Sequence, residues 1–280
     1  MQNHTPWAGH ANTRPAKQPT KGAKTGTTAT PARLHLLSYN IQVGIPGESL
    51  RKSITGGWRH IFPHATRQDN LGDIANLISG FDIVALQEVD AGSIRSNYIN
   101  QIEYLAHLGG FPYWYWQLNR SLGRFAQQCN GVLSRYAAPQ VDNHKLPGLI
   151  PGRGAMALYF GTGEEQLLVI ALHLSLSRRA RHQQLAYIAD LIQGYPHVIV
   201  MGDMNSPCYH LMTDSPLKDT DLIPVNEHQN TFPSWRPSRN IDHFFISPSL
   251  TVESVSVLNH PYSDHLPITL DVTLPPGVIL

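Results

Sequence analysis

Short apolar runs that end in carboxylate, amide or imidazole side chains constrain this chain more than any other feature. Four such runs end at Asn40, at Gln87-Glu88, at Asp203 to Asn205 and at Asp242-His243, and a fifth polar cluster, Ser263 to Pro267, precedes the last run. Apolar runs of this length with polar boundaries are typical of buried β-strands. Strand ends that project these side chains together would form a site for a hard metal ion and a phosphate.

Strand patterns alternate with helical patterns from Leu34 onwards. We predict strands over 34–39, 81–86, 131–134, 155–160, 167–173, 197–201, 241–246, 251–258 and 266–274. Helical spacing predicts one helix containing Leu71, Ile74, Ala75 and Ile78, a second over 97–108 and a third over 179–193. The aromatic segment 111–116 fits a strand or a loop. This order predicts an α/β fold for residues 34–280.

Residues 1–33 differ from the rest of the chain in charge, in composition and in the absence of a periodic apolar pattern. They carry five basic residues and no acidic one, whereas the remainder has 16 basic and 20 acidic residues. The segment is rich in Thr, Pro, Gly, Ala and Lys without apolar periodicity, so we predict a disordered basic tail, interpreted as a solubilising extension rather than a nucleic-acid or membrane arm.

No apolar stretch reaches the roughly 18 residues that cross a bilayer, and the N-terminus lacks a secretory signal. Cys129 and Cys208 are the only cysteines and do not form a metal or redox spacing. We therefore expect a cytoplasmic protein without an integral membrane segment, and a monomer.

The strand-end residues have individual chemical interpretations. Asn40, Glu88 and Asp264 offer oxygen ligands of the kind that Mg²⁺ prefers. Asp203 and Asn205 stand two apart, which on an extended segment turns both side chains to one side, although a Gly-Asp-x-Asn stretch also fits an ordinary Asx turn.

Asp242 and His265 fit a carboxylate–imidazole dyad, and His173 is a second imidazole candidate at a strand end. Arg178, Arg179 and Arg181 stand at the N-terminus of a predicted helix and oppose its dipole, which an anionic ligand would relieve. A solvated charge run explains the same three arginines equally well.

The ordered set of motifs resembles the endonuclease/exonuclease/phosphatase superfamily. The matching segments, in order, are Tyr39-Asn40-Ile41, Gln87-Glu88, Asn130 to Ser134, His173-Leu174-Ser175, Gly202 to Asn205, Ile241 to His243 and Ser263 to Pro267. They cover about residues 34 to 274.

The resemblance implies a four-layer αββα sandwich of two mixed β-sheets flanked by helices, similar to deoxyribonuclease I, and a hydrolase that needs Mg²⁺ or Mn²⁺. It implies metal ligation by Asn40, Glu88 and Asp264, phosphate binding by Asn130 and Asn205, and a catalytic set, which is His173, Asp203, Asp242 and His265. Arg178 is a further candidate for the phosphate. The histidine at position 173 disfavours the apurinic-site endonuclease branch. Whether Asp203 or His265 accepts the proton stays open.

The expected reaction is in-line attack of water on a phosphodiester or phosphomonoester. Nucleic acid is favoured over phospholipid because arginines and aromatic side chains accompany the motifs, although the chain beyond the tail is net acidic. The alternative is a lipid or headgroup phosphodiesterase, similar to sphingomyelinases or glycolipid-remodelling enzymes, or an inositol-phosphate phosphatase; segments 43–65 and 111–116 would then form its apolar wall. A third hypothesis is a non-catalytic phosphate-binding scaffold.

Overall fold

Two six-stranded mixed sheets form the centre of the protein. The computed structural model describes residues 32–44, 64–121, 123, 125–148 and 152–280, with the side chains of 64–68 and 95 left aside. The strands are β1 (Arg33–Asn40), β2 (Ile83–Asp90), β3 (Tyr113–Ser121), β4 (Gln127–Ser134), β5 (Gln140–Lys145), β6 (Gly154–Phe160), β7 (Leu167–His173), β8 (His197–Asp203), β9 (Ile223–Pro224), β10 (Asp242–Ile246), β11 (Thr251–Val257) and β12 (Ile268–Thr273). The longer described helices are α1 (His64–Ile78), α2 (Gln101–Gly109), α3 (Arg178–Leu191) and α4 (Cys208–Asp214).

The first sheet has the strand order β11-β12-β1-β2-β4-β3, and the second has the order β5-β6-β7-β8-β10-β9. The pairs β1–β2 and β7–β8 are parallel, and every other described pair is antiparallel. Each parallel pair places two strand ends at one edge of its sheet, which is the edge where the polar clusters of the sequence lie.

Three hydrophobic layers separate four structural layers. Leu36 and Ile83 of the first sheet pack with Met156 and Ile199 of the second in the layer between the sheets. The outer face of the first sheet packs against α1 and α2. The outer face of the second sheet packs against α3 and α4. Alternation along each strand supplies both faces, and the result is the αββα sandwich that the resemblance of the motifs implies.

Most predicted elements exist, with shifted ends. The second helix begins at Gln101 rather than at 97, since Asn100 caps it by accepting from the backbone N–H groups of Ile102 and Glu103. The aromatic segment is a strand, β3, and it continues to Ser121. Sequence reasoning missed β5, which is polar and largely exposed, and the seven-residue α4.

Two predictions extend beyond the part of the chain that the structure describes. The first is the basic tail predicted over residues 1–33. Its last residue, Arg33, is described and is the first residue of β1. The apolar wall over 43–65 is the other, for which only the two ends of the segment are described. Among the described helices, none is long and apolar enough to cross a membrane.

Candidate active site

Strand register brings the polar clusters together around Asp203. Asp203 is the last residue of β8 and pairs with His173, the last residue of the parallel strand β7. On its other side it pairs with Asp242, the first residue of the antiparallel strand β10. Asn40, which ends β1 of the facing sheet, donates from Nδ2 to Asp203 Oδ2 at 3.1 Å. The two sheets therefore meet at a single carboxylate.

Asp203 is buried and has several partners. Its Oδ1 accepts from the backbone N–H of Asn205 at 2.9 Å, and its Oδ2 lies 3.3 Å from His173 Nε2 and 3.9 Å from His265 Nε2. Burial raises the pKa of Asp203, but the hydrogen bond from His173 and the charge of His265 outweigh it and hold the pKa well below its usual range. Asp203 is therefore ionised at neutral pH.

His265 and Asp242 form the carboxylate–imidazole pair that their residue types indicate. His265 Nδ1 lies 2.9 Å from Asp242 Oδ2, and Thr231 donates its hydroxyl to the same oxygen. The Phe232 ring packs against the imidazole with its centroid 4.9 Å away. Burial lowers the pKa of His265, but the charges of Asp242 and Asp203 outweigh burial and raise the pKa to about 10. His265 is therefore an oriented cation whose Nε2 faces Asp203.

Glu88 and Asp264 add two carboxylates beside this centre. Glu88 lies in a β-bulge with φ of 53°, and its Oε1 is 3.9 Å from His173 Nε2. Its side chain is 25% exposed, so water reaches it. Burial raises the pKa of Asp264, and the charge of Glu88 raises it further while His265 opposes both. The two carboxylates are thus close enough to repel one another, which a cation between them would relieve.

The predicted phosphate-binding amides hold the surrounding backbone. Asn130 donates from Nδ2 to the carbonyl of Gly154 at 3.1 Å, and Asn205, with φ of 52°, donates from Nδ2 to the carbonyl of Leu174 at 2.9 Å. One N–H of each amide group is left for a ligand. Asn130 Oδ1 is buried and has no hydrogen-bond partner in the described part of the chain.

Arg178 lies at the rim. Its side chain is 80% exposed and its Nη2 is 3.3 Å from Asp214 Oδ2. The pKa of Arg181 is lowered by burial and by the charges of Arg239 and Arg178, and the charge of Asp203 opposes this lowering. Arg181 also donates from Nη1 to the carbonyl of Ser175 at 3.2 Å. The role assigned to Arg178 stays a prediction, and both Arg178 and Arg181 line a cavity next to Asn205.

Sequence reasoning missed Arg153, Thr231 and Phe232. Arg153 Nη1 lies 2.7 Å from His173 Nδ1 and also contacts His173 Nε2, the ring atom that faces Asp203. A signal for Arg153 existed, because it directly precedes β6, and an antiparallel neighbour of β7 must begin where β7 ends. Thr231 and Phe232 stand ten or more residues before β10, and no local pattern marks them.

Two different sets of side chains near Asp203 could hold a cation. Side-chain atoms of Asp203, Asp242 and His265 lie within 4.8 Å of one another. Within this grouping His265 Nδ1 and Asp242 Oδ2 already contact one another at 2.9 Å. The second grouping is the one predicted from the sequence, which consists of Glu88, Asp264 and the amide oxygen of Asn40 and offers the oxygen ligands that Mg²⁺ prefers.

Comparison with known proteins agrees with the resemblance that the sequence motifs show. The family described as "Endonuclease/Exonuclease/phosphatase family" matches residues 37–265. No curated protein matches the chain at a significant level. An endonuclease/exonuclease/phosphatase structure from Beutenbergia cavernae is similar with a TM-score of 0.66 at 20% identity, over 87% of this chain and 72% of that one.

Two further solved structures share the fold. A mannosyl-6-phosphatase from Bacteroides thetaiotaomicron has a TM-score of 0.64 at 18% identity, over 86% of this chain and 100% of that one. A humanized D. rerio TDP2 has a TM-score of 0.62 at 16% identity, over 86% of this chain and 99% of that one. At such identities these likenesses concern the fold, whereas the family match spans most of the chain. This chain belongs to the endonuclease/exonuclease/phosphatase family, whose members are hydrolases acting on phosphate esters.

Proposed function

We propose that this chain is a divalent-metal-dependent phosphoesterase that hydrolyses a phosphodiester or phosphomonoester by in-line attack of water, with nucleic acid as the favoured substrate. The observation that carries the proposal is the buried, ionised Asp203, which contacts Asn40 and His173 and faces the imidazolium of the His265–Asp242 pair. The carboxylate and the cationic donor lie 3.9 Å apart and so face the same side of a bound phosphate, where the carboxylate can orient the attacking water and the imidazolium can donate to a phosphate oxygen.

The donor set fits a hard divalent ion. Glu88 and Asp264 repel one another, Glu88 is open to water, and no Lys or Arg forms an ion pair with either carboxylate in the described part of the chain. Asn40, Glu88 and Asp264 would hold Mg²⁺ or Mn²⁺. When bound, such an ion neutralises charge that develops on the phosphate oxygens.

The other side chains then have distinct tasks. Asp203 accepts a hydrogen bond from the attacking water and orients it, because it stays ionised and four neighbours fix its position. His265 donates a proton or a hydrogen bond from Nε2 to a phosphate oxygen, while Asp242 and Thr231 fix the ring. Asn130 and Asn205 each offer one N–H to the phosphate. This division favours Asp203 as the group that positions water and His265 as the donor.

The surroundings favour nucleic acid over lipid. A cavity of about 280 Å³ next to Asn205 is lined by Arg181 and Arg239 among others. Of the two apolar segments predicted for a lipid chain, 111–116 is occupied by packing, since Phe111 is buried and Trp114 and Trp116 pack against the α1–α2 side of the first sheet, while most of 43–65 lies outside the described residues. Guanidinium groups bind phosphate backbones, and lipid would need a free apolar surface.

The test is hydrolysis with and without Mg²⁺ or Mn²⁺ on a parallel panel of single-stranded DNA, duplex DNA, RNA, sphingomyelin, phosphatidylinositol and inositol phosphates. Glu88→Gln removes a predicted metal ligand, and Glu103→Gln makes the same change on the exposed face of α2 as the matched control. Metal-dependent cleavage of nucleic acid that is lost only in Glu88→Gln supports the proposal. Selective turnover of a lipid or an inositol phosphate would reassign the substrate, and inactivity across the panel would support a phosphate-binding scaffold.

A further inference from the structure

A second, larger cavity lies next to the catalytic centre. Its volume is about 690 Å³, within the range of small-molecule sites. It is bounded by the end of β3, by the glycines at 148 and 152, and by the first turn of α3. Arg120, Arg153 and Arg179 line it from these three separate parts of the chain.

The charge of this cavity is of one sign. Among the described residues that line it there is no Asp or Glu. Within the described ranges, neither Arg120 nor Arg179 has a carboxylate at ion-pair distance, whereas the neighbouring Arg178 pairs with Asp214. Glu88 and Asp203 partly balance Arg153, since their charges raise its pKa against the lowering by burial. Arg120 and Arg179 have no such carboxylate at ion-pair distance in the described part of the chain, and an anion between them would relieve their repulsion.

Arg153 connects this cavity to the catalytic centre. Its Nη1 lies 2.7 Å from His173 Nδ1 and also contacts His173 Nε2, and the same residue lines the cavity. Ser175, two residues after His173, also lines it. Four carboxylates therefore cluster at the catalytic centre, and three guanidinium groups line the adjacent cavity. Arg153 belongs to both places. A substrate that spans this boundary would carry its scissile phosphate at the acidic side and a second anion at the basic side.

We propose that the cavity of Arg120, Arg153 and Arg179 binds a second phosphoryl group of the substrate. The inference rests on the proposed function, and it narrows the substrate class to phosphate esters with another phosphate close to the scissile one. A neighbouring nucleotide supplies such a phosphate, and so does a second phosphate on an inositol ring. A choline headgroup does not fit, because its cation would face three guanidinium groups without a carboxylate in the described lining.

The experiment compares two esters with the same leaving group. Thymidine 5′-(p-nitrophenyl phosphate) is assayed with and without a 3′-phosphate, and thymidine 3′-(p-nitrophenyl phosphate) with and without a 5′-phosphate, so that both directions are covered. We expect the second phosphate to raise kcat/KM about tenfold or more in one direction. Arg120→Gln and Arg179→Gln should remove most of that gain and leave the singly phosphorylated esters unchanged.

Arg33→Gln is the matched control. Arg33 is exposed at the start of β1, seven residues from Asn40 along an extended strand and so roughly 23 Å from the site. It should keep the full preference. Equal kcat/KM for the two members of both pairs would exclude a neighbouring nucleotide as the source of the second phosphate. A preference that survives Arg120→Gln and Arg179→Gln together would overturn the inference.

A binding measurement separates this inference from the proposed function. Calorimetry compares thymidine 3′,5′-bisphosphate with thymidine 5′-phosphate, and inositol 1,4-bisphosphate with inositol 1-phosphate, without turnover. If no ester is hydrolysed, the proposed function fails. Tighter binding of either bisphosphate that is lost in Arg179→Gln would still support binding of a second phosphate in the cavity. Preference confined to the inositol pair identifies the ring as the source of the second phosphate. Equal binding within both pairs contradicts the cavity assignment.

Discussion

Glu88 combines a functional position with a strained backbone, and the two can be separated by substitution. Between the pairs Leu86–Gly131 and Val89–Cys129, β2 advances one residue more than β4, which defines a bulge. Glu88 adopts φ of 53° within it. A residue with a Cβ in this left-handed region is strained by about 1–2 kcal/mol, whereas glycine is not. Strain of this kind is common at functional sites.

The effect of the backbone strain on the free energy of unfolding follows from comparing Glu88→Gly with Glu88→Ala. Both variants remove the carboxylate and its repulsion with Asp264, so their difference isolates the backbone. Glycine removes the strain of about 1–2 kcal/mol but loses about 0.5–1 kcal/mol in conformational entropy. Glu88→Gly should therefore be more stable than Glu88→Ala by somewhat under about 1 kcal/mol. Both variants should lose metal-dependent turnover.

The assay is urea unfolding of both variants, with the same pair of changes at Asp73 as the control. Asp73 is an exposed acid in the interior of α1, where glycine should be less stable than alanine by about 1 kcal/mol. The sign of the Gly–Ala difference should thus invert between the two positions. A Glu88→Gly protein no more stable than Glu88→Ala would refute the strain argument, and retained metal-dependent turnover in either would refute the catalytic-site assignment.

Three other outcomes are expected. Asp242→Asn should lower turnover by about two or more orders of magnitude, since it removes the charge that holds the His265 proton, while Thr231→Val keeps that charge and should have a much smaller effect in steady-state assays. Burial lowers the pKa of His243 from 6.5, so the unfolded chain binds a proton that the folded protein does not, and stability should fall as pH drops below about 6.5. His243→Gln, whose amide can replace the Nε2 contact with the carbonyl of Ser206, should flatten that dependence in urea titrations at pH 5 to 8, and an unchanged slope would argue against it. Gly131→Ala should be strongly destabilising because its Cβ would lie 1.8 Å from Ile102 Cδ1, and thermal unfolding should show a smaller effect of the same change in an Ile102→Ala background.

Much of the architecture can be read from local pattern. The apolar run over 167–173 predicts β7 to the residue, and helical spacing locates α1 and α3 within a few residues. These elements are predictable because side-chain periodicity and burial are properties of the segment itself. Failures concentrate where the local signal is weak, as in the polar, exposed strand β5.

The direction in which a side chain points is less predictable. Arg178 and Arg181 are equivalent in composition and neighbourhood, yet the first faces Asp214 at the surface and the second turns toward Ser175 and the site. The two arginines are three residues apart on α3, and this spacing gives their side chains different partners. The sequence pattern does not say which side of α3 faces Asp203. Arg153 was missed for a related reason, since its importance depends on β6 pairing with β7.

The amino-acid sequence alone determined the strands, the chemical types at their ends and the family resemblance that orders them. Only the tertiary structure decided that β8 pairs with both β7 and β10, so that His173 and Asp242 flank one carboxylate, and that Asn40 reaches that carboxylate from the other sheet. It also decided that three arginines surround one cavity. The physical reason is that strand type is set within a few residues, whereas strand partners and packed faces are chosen by contacts between distant segments, such as Asn40 and Asp203, which are 163 residues apart.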